Sequence, residues 1–182
     1  MRMETSDENL VTLAQTGDAA AFSALISRHY DLIHRIGYRV LGSQTEAQDM
    51  AQDLCLSLAS KIQSFRADAK FTTWLYRVAI NASRDRLRKR KTRQKATESW
   101  GDYETNARAA DAENRAQLDW LTQAMTTLPP DLRETVALVL GEDLTHDAAA
   151  TALNISPGTV SWRMSEVKKH LRALAEKEEL IQ

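Results

Sequence analysis

The sequence predicts an all-α chain: two small helical domains joined by a flexible polar linker, with a helix-turn-helix in the second. Apolar residues recur three and four apart through most of the chain, and no segment alternates with period two for long enough to argue a strand. Only 6 Gly and 3 Pro interrupt regular structure across 182 residues. The apolar rhythm lapses from residue 92 to 115, where the chain turns polar and charged and cannot bury enough surface to offset its ordering entropy. This divides the chain into a domain at 1–95, an acidic linker at 96–115 and a domain at 116–182.

Ser6 or Asp7 can cap a short helix running through Thr16, and Gly17 supplies its stop. Phe22, Leu25, Ile26, His29, Ile33, Ile36 and Val40 then share one face of a longer helix ending near Gly42. Ser43 and Glu46 stand at capping-box spacing and open a third helix. Its apolar stripe is Ala47, Met50, Ala51, Leu54, Leu58 and Ile62, which leaves Gln48, Asp49, Gln52 and Asp53 outside. Ser64 to Lys70 reads as a loop, and Thr72 or Thr73 can cap a fourth helix carrying Trp74, Leu75, Val78, Ala79 and Leu87.

In the second domain Leu118, Leu121, Met125 and Leu128 mark a helix stopped by Pro129 and Pro130. Leu132, Val136 and Val139 mark another that ends at Gly141, and Thr145–Leu153 and Pro157–Glu176 follow. The last two form the helix-turn-helix. Small residues Ala148 to Ala150 permit close packing, Asn154 takes the left-handed turn, Ser156 caps the second helix and Pro157 begins it. Burial of Val160, Met164, Val167 and Leu171 would leave Thr159, Ser161, Trp162, Arg163 and Ser165 facing outward, fit to enter a major groove. An ordinary helical hairpin has the same local signals.

The net charge of -1 conceals two opposed blocks. Eight cations lie between Arg84 and Lys95 against the single acid Asp85, and from Glu98 to Asp119 acids prevail. Cations packed this closely repel one another unless a polyanion is present, which points to nucleic acid over a solvated helix end. Arg77, Asn81, Arg84 and Arg88 share one helix face, and Phe65, Phe71, Trp74 and Tyr76 place aromatic surface nearby, a combination suited to single-stranded DNA. Phe71 and Trp74 also read as core, since large aromatics dominate burial.

The segments AFSALISRHYDLIHRIGYRVLG, EAQDMAQDLCLSL, FRADAKFTTWLYRVAINASRDRLRKRK and LPPDLRETVALVLGEDLTHDAAATALNISPGTVSWR resemble, in that order, the sigma-70 family and its extracytoplasmic-function (ECF) group. The resemblance covers roughly Leu10 to Arg172 and implies a transcription initiation factor, not an enzyme. By resemblance Asp49, Gln52 and Asp53 would dock on the clamp helices of core RNA polymerase. Phe65, Arg66, Lys70, Trp74, Arg77, Asn81, Arg84 and Arg88 would capture the promoter's minus-ten element, with a base flipped into a pocket at the loop. Pro157, Gly158, Thr159, Ser161, Trp162, Arg163 and Lys168 would read the minus-thirty-five element. The acidic linker would thread through the polymerase. An anti-sigma factor is the further partner implied, and no cofactor or metal.

The chain departs from the family where Ser161, Trp162 and Glu166 replace the usual Lys, Ser and Arg, and where Ala149 replaces a bulkier Ile. Fewer phosphate contacts imply weaker standalone binding and an altered minus-thirty-five preference.

His29, His34, His146 and His170 sit in separate segments without ligand-spaced Cys or carboxylate partners, so metal and nucleophilic chemistry have no support. His29 reads as a satisfied core residue. The lone Cys55, beside Leu54 and Leu56, reads as a small buried hydrophobe in a reduced, cytoplasmic protein. With no apolar leader and no long uncharged apolar run, neither secretion nor membrane insertion is expected. A polymerase-independent repressor or activator is the alternative, and a protein-interaction module that no longer initiates transcription is a third reading.

Overall fold

Ser6, Asp18 and Ser43 each start a helix by accepting backbone N–H groups on a side-chain oxygen. Asn9 N lies 3.3 Å from Ser6 Oγ, Ala20 N and Ala21 N lie 2.9 and 3.0 Å from Asp18 Oδ1, and Glu46 N lies 3.3 Å from Ser43 Oγ. The helices they open are α1 (Asp7–Gln15), α2 (Ala19–Leu41) and α3 (Gln44–Lys61). The computed structural model describes residues 5–97 and 124–179, and among them the regular structure is entirely helical. Gly42, at φ +71°, ends α2 in the left-handed conformation. Glu46 does not complete the expected reciprocal cap, because its carboxylate turns to Arg90 at 3.3 Å.

A 3₁₀ turn, Ile62–Ser64, leads into an exposed loop and then α4 (Phe71–Thr97). The helix begins at Phe71, ahead of the expected Thr72 or Thr73, with Lys70 O accepting from Thr73 N and Trp74 N at 3.0 and 3.2 Å. Phe71 is buried, and drawing a large aromatic into the core contributes about 1.5–3 kcal/mol, more than a hydroxyl cap supplies. At its far end α4 runs through Thr97 into the stretch read as linker, since unbranched Arg, Lys and Gln favour helix. Residues 98–115, with their acidic run, and Leu118 and Leu121 lie outside the described residues.

Residues 124–127 form a helical turn, followed by α5 (Pro130–Val139), α6 (His146–Leu153) and α7 (Pro157–Glu179). Thr145 Oγ1 accepts from Ala148 N at 3.2 Å and Ser156 Oγ from Thr159 N at 3.1 Å, while Asn154 takes φ +57° at the turn. The Asn154 turn and the Ser156 cap are the expected pieces of the helix-turn-helix, and Thr145, read from sequence as the first helical residue, adds its cap to them. Ala149 and Ala150 are buried where α6 packs on α7, and Val160, Met164 and Val167 supply the facing surface.

The first domain's core forms where α2 packs along α3 and α4, around Leu25, Ile33, Ile36, Met50, Leu54, Leu75 and Ile80. A Cβ on Gly37 would meet Met50 Cε at 2.7 Å and Ala47 Cα at 3.4 Å, so α2 and α3 lie close here and a larger residue would require the Met50 side chain to shift. The apolar cluster continues from α2 into α5 without a break. Consequently α5 is buried from Leu132 through Leu138, including Arg133, Glu134 and Thr135, although the sequence assigned it one apolar face. On that polar face Arg133 and Glu134 are covered by the first domain.

Candidate nucleic-acid interface

Asp49, Gln52 and Asp53 stand on the exposed face of α3, as their spacing requires. Arg86 of α4 reaches them, with Nη2 2.7 Å from Asp53 Oδ2 and Nη1 3.9 Å from Asp49 Oδ2. The carboxylates remain 59% and 75% exposed and open to a basic partner. Cys55, two residues further on, is half-buried rather than fully enclosed, and burial pushes its thiol pKa up. Its neighbour Leu56 is 81% exposed.

The loop after Ile62–Ser64 carries Phe65, Arg66 and Lys70 at the foot of α4, with both cations exposed. Phe65, Phe71 and Trp74 form a three-ring cluster with centroid separations of 5.5–5.7 Å. Phe71 is the buried member, and Phe65 and Trp74 keep partial exposure from which to meet a planar ligand. His29 backs Phe71 at 5.5 Å, and its Nε2 is 2.8 Å from Asp7 Oδ2, so it is the satisfied core histidine expected.

The row Arg77, Asn81, Arg84 and Arg88 is partly occupied by the second domain. Arg84 donates from Nε to Glu134 Oε1 at 2.8 Å and from Nη2 to Glu134 Oε2 at 2.6 Å. This doubly hydrogen-bonded pairing raises the Arg84 pKa. Arg77 donates from Nη2 to Thr151 O at 2.7 Å, where a cation suits the carbonyl end of α6. Arg88 pairs with Asp85, and Asn81 accepts from Arg84 Nη1 at 3.3 Å.

Sequence reasoning missed the other contacts between the halves. Glu142 is held by Arg35 at 3.0 Å and Arg39 at 2.5 Å, its side chain only 6% exposed. Arg133 donates from Nη1 to Val40 O at 2.7 Å, in the last turn of α2, and from Nη2 to Thr126 O and Leu128 O at 2.6 and 2.9 Å. Burial pushes the Arg133 pKa down, and Arg90 adds to that. The available signal was three arginines within helical runs and a glutamate just past a helix end, which marks no partner by itself.

On the helix-turn-helix, Pro157, Gly158, Ser161, Trp162 and Lys168 face solvent, and Thr159 is half-buried by its cap. Trp162 is 58% exposed. Ser161 Oγ lies 2.9 Å from His146 Nδ1, which ties it to the preceding helix. Arg163 departs from expectation. Position 163 flanks the stripe of Val160, Met164 and Val167, so its side chain folds back against α5, with Nη1 3.3 Å from Asp131 O and Nε 3.5 Å from Asp131 Oδ2.

Among the described residues no group of three metal-ligating side chains converges, and no helix is long and apolar enough to cross a membrane.

Comparisons with known proteins agree on the kind of machine these surfaces serve. Residues 25–93 match the model described as Sigma-70 region 2, and residues 118–171 match Sigma-70, region 4. The chain is 31% identical to the ECF RNA polymerase sigma factor SigM of Mycobacterium tuberculosis, over 95% of this chain and 86% of that protein. The solved structure of CnrH in complex with the cytosolic domain of CnrY shares the fold at TM-score 0.70 and 24% identity, covering 94% of this chain and 97% of CnrH. The sigma factor RpoE of Bartonella quintana, solved with the anti-sigma factor NepR, also gives TM-score 0.70, at 19% identity over 85% of this chain and 96% of RpoE.

Proposed function

The chain belongs to the ECF group of RNA polymerase sigma factors, within the sigma-70 family, and from that premise we propose how its surfaces divide the work of starting transcription. Residues 1–95 act as the region that holds core polymerase and the minus-ten element, 96–115 as the connecting linker, and 116–182 as the minus-thirty-five reader. The protein is not an enzyme: it selects and opens promoter DNA for a polymerase that does the chemistry. Its place of action is the cytoplasm, with the polymerase.

The observation that carries this reading is three surfaces in one chain, each with its own chemistry. The exposed acids and carboxamide Asp49, Gln52 and Asp53 on α3 form a polar helix face for a basic helical partner on the polymerase. Phe65, Arg66, Lys70 and Trp74, followed by Arg77, Asn81, Arg84 and Arg88, combine stacking surface with phosphate-binding cations. A flipped base gains stacking there that it cannot obtain inside a duplex. On α7, Pro157, Gly158, Thr159, Ser161, Trp162 and Lys168 present the N-terminal part of a recognition helix to the major groove. Arg163 supports that helix from within, through Asp131.

In the free protein the second domain covers part of the minus-ten surface through Arg84–Glu134 and Arg77–Thr151. Promoter engagement requires these contacts to separate. A protein that stabilises the closed arrangement would hold the factor inactive, and an anti-sigma factor, of the kind solved with RpoE, fits that role.

Core polymerase immobilised on beads tests the first surface. Wild-type protein is expected to be retained, and Asp49→Lys with Asp53→Lys is expected to be lost. Equal retention of both would remove α3 from the polymerase contact. A repressor or activator would bind duplex DNA with either sequence and show no dependence on polymerase.

A further inference from the structure

Helix α1 carries none of the surfaces assigned above, yet it grips the aromatic loop at both of its ends. At its C-terminal end, Gln15 Nε2 donates to Ile62 O and to Phe65 O, each at 2.9 Å. Both amide hydrogens therefore go to the two ends of one turn, 47 and 50 residues along the chain. Gln63 returns the contact, its Nε2 donating to Gln15 O at 3.2 Å. At the N-terminal end of α1, Asp7 meets His29, whose ring lies against Phe71.

The loop needs such a support. Residues 66–70 are all exposed, and Ala67 holds a left-handed φ of +58° without being glycine. Phe65 is the last partly buried residue before that exposed stretch, and its carbonyl fixes the direction in which its ring leaves the backbone. A primary amide is the one neutral side-chain head that can donate to two carbonyls at once. A leucine would leave both acceptors unmet, and a glutamate would set oxygen against oxygen.

We propose that Gln15 is a positioning residue for minus-ten capture: it locks the Ile62–Phe65 turn so that Phe65 and Trp74 stand ready for the unpaired base. The proposal rests on the reading of the Phe65–Phe71 loop as the base-capturing element. A loop ordered beforehand loses less entropy when the base arrives, so the contribution falls on the opening step.

Gln15→Leu and Gln15→Glu in the full chain, bound to core polymerase, test it on a promoter selected from a random pool. Open-complex formation is followed on the intact duplex and on the same promoter carrying an abasic site at each minus-ten position in turn. Phe65→Ala is the reference. Loss of one to two hydrogen bonds predicts about a five- to thirtyfold slower opening on the intact duplex. At the abasic position that slows the wild type, the variants are expected to match the wild type, because no base remains to capture.

Opening at the wild-type rate by Gln15→Leu, with Phe65→Ala slowed, would overturn the positioning role and leave the loop's role intact. An equal penalty on intact and abasic promoters would also overturn it, since that is the mark of general structural damage. Should neither Phe65→Ala nor any abasic position slow opening, the loop reading falls and the proposal with it.

Discussion

Arg84 and Glu134 join the two halves of the molecule through two parallel hydrogen bonds, at 2.8 and 2.6 Å, with the glutamate side chain 2% exposed. The guanidinium proposed for the minus-ten row thus holds a carboxylate from α5, the helix that leads into the helix-turn-helix. A carboxylate and a phosphate present similar paired oxygens to an arginine fork, so the two compete for the same group. On the minus-ten role proposed for Arg84, closure of the protein and two-pronged engagement of a phosphate by its Nε and Nη2 compete.

Glu134→Ala is therefore expected to favour the open arrangement. Removing one partner of a buried pair costs about 3–5 kcal/mol, but Arg84 keeps 36% of its side chain exposed. Docking of the two halves should accordingly weaken by about 1–3 kcal/mol. Small-angle scattering of the free protein should show a larger radius of gyration, and fluorescence anisotropy should show tighter binding of single-stranded minus-ten DNA. Unchanged dimensions and unchanged DNA affinity would mean that the pair does not hold the halves together.

Trp162 and Arg163 are neighbours with opposite expected phenotypes. Trp162→Ala removes an exposed side chain and should leave stability within about 0.5 kcal/mol, while weakening duplex minus-thirty-five binding. Arg163→Ala abandons polar groups of Asp131 and Thr135 at the foot of α5. It should lower stability by about 1–3 kcal/mol and change sequence preference little. Thermal unfolding and binding-site selection on the same two variants separate the roles, and a stability loss confined to Trp162→Ala would reverse them.

Half-burial of Cys55 raises its thiol pKa above the ordinary value of 9.0. The folded chain then holds the thiol proton more tightly than the unfolded chain does. That contribution to stability is complete below pH 9.0 and declines as pH rises through the folded value. Alkylation at pH 8 should be slower in the native protein than in urea, and Cys55→Ser should reduce the alkaline decline in stability. Equal alkylation rates in both states would show that the thiol is not shielded.

The helices and their caps were legible because each rests on a local pattern. Ser6, Ser43 and Ser156 cap through side chains three residues from their partners, and the apolar stripes of α2, α3 and α7 follow the helical repeat. The buried polar face of α5 was not legible, since Glu134 and Arg133 find partners on α4 and α2, more than 40 residues earlier in sequence, while Thr135 meets Arg163 of α7. For the same reason Gln15 gives no local sign of its partners at Ile62 and Phe65. Arg163 was misread because burial of the stripe was taken to free every other side chain, whereas a residue at the stripe's edge can turn either way. Phe71 was legible as core by size alone, and burying it moved the start of α4 ahead of its threonines.

Abortive transcription by core polymerase, with and without this protein, on a pool of random promoter-like DNA, followed by sequencing of the initiating templates, asks whether this chain directs the polymerase to a promoter. Enrichment of a two-part motif is expected, with an element near minus thirty-five and another near minus ten, lost when Asp49 and Asp53 are both changed to Lys. Initiation without any enriched motif, or no initiation while the isolated protein still binds duplex DNA, would contradict that role.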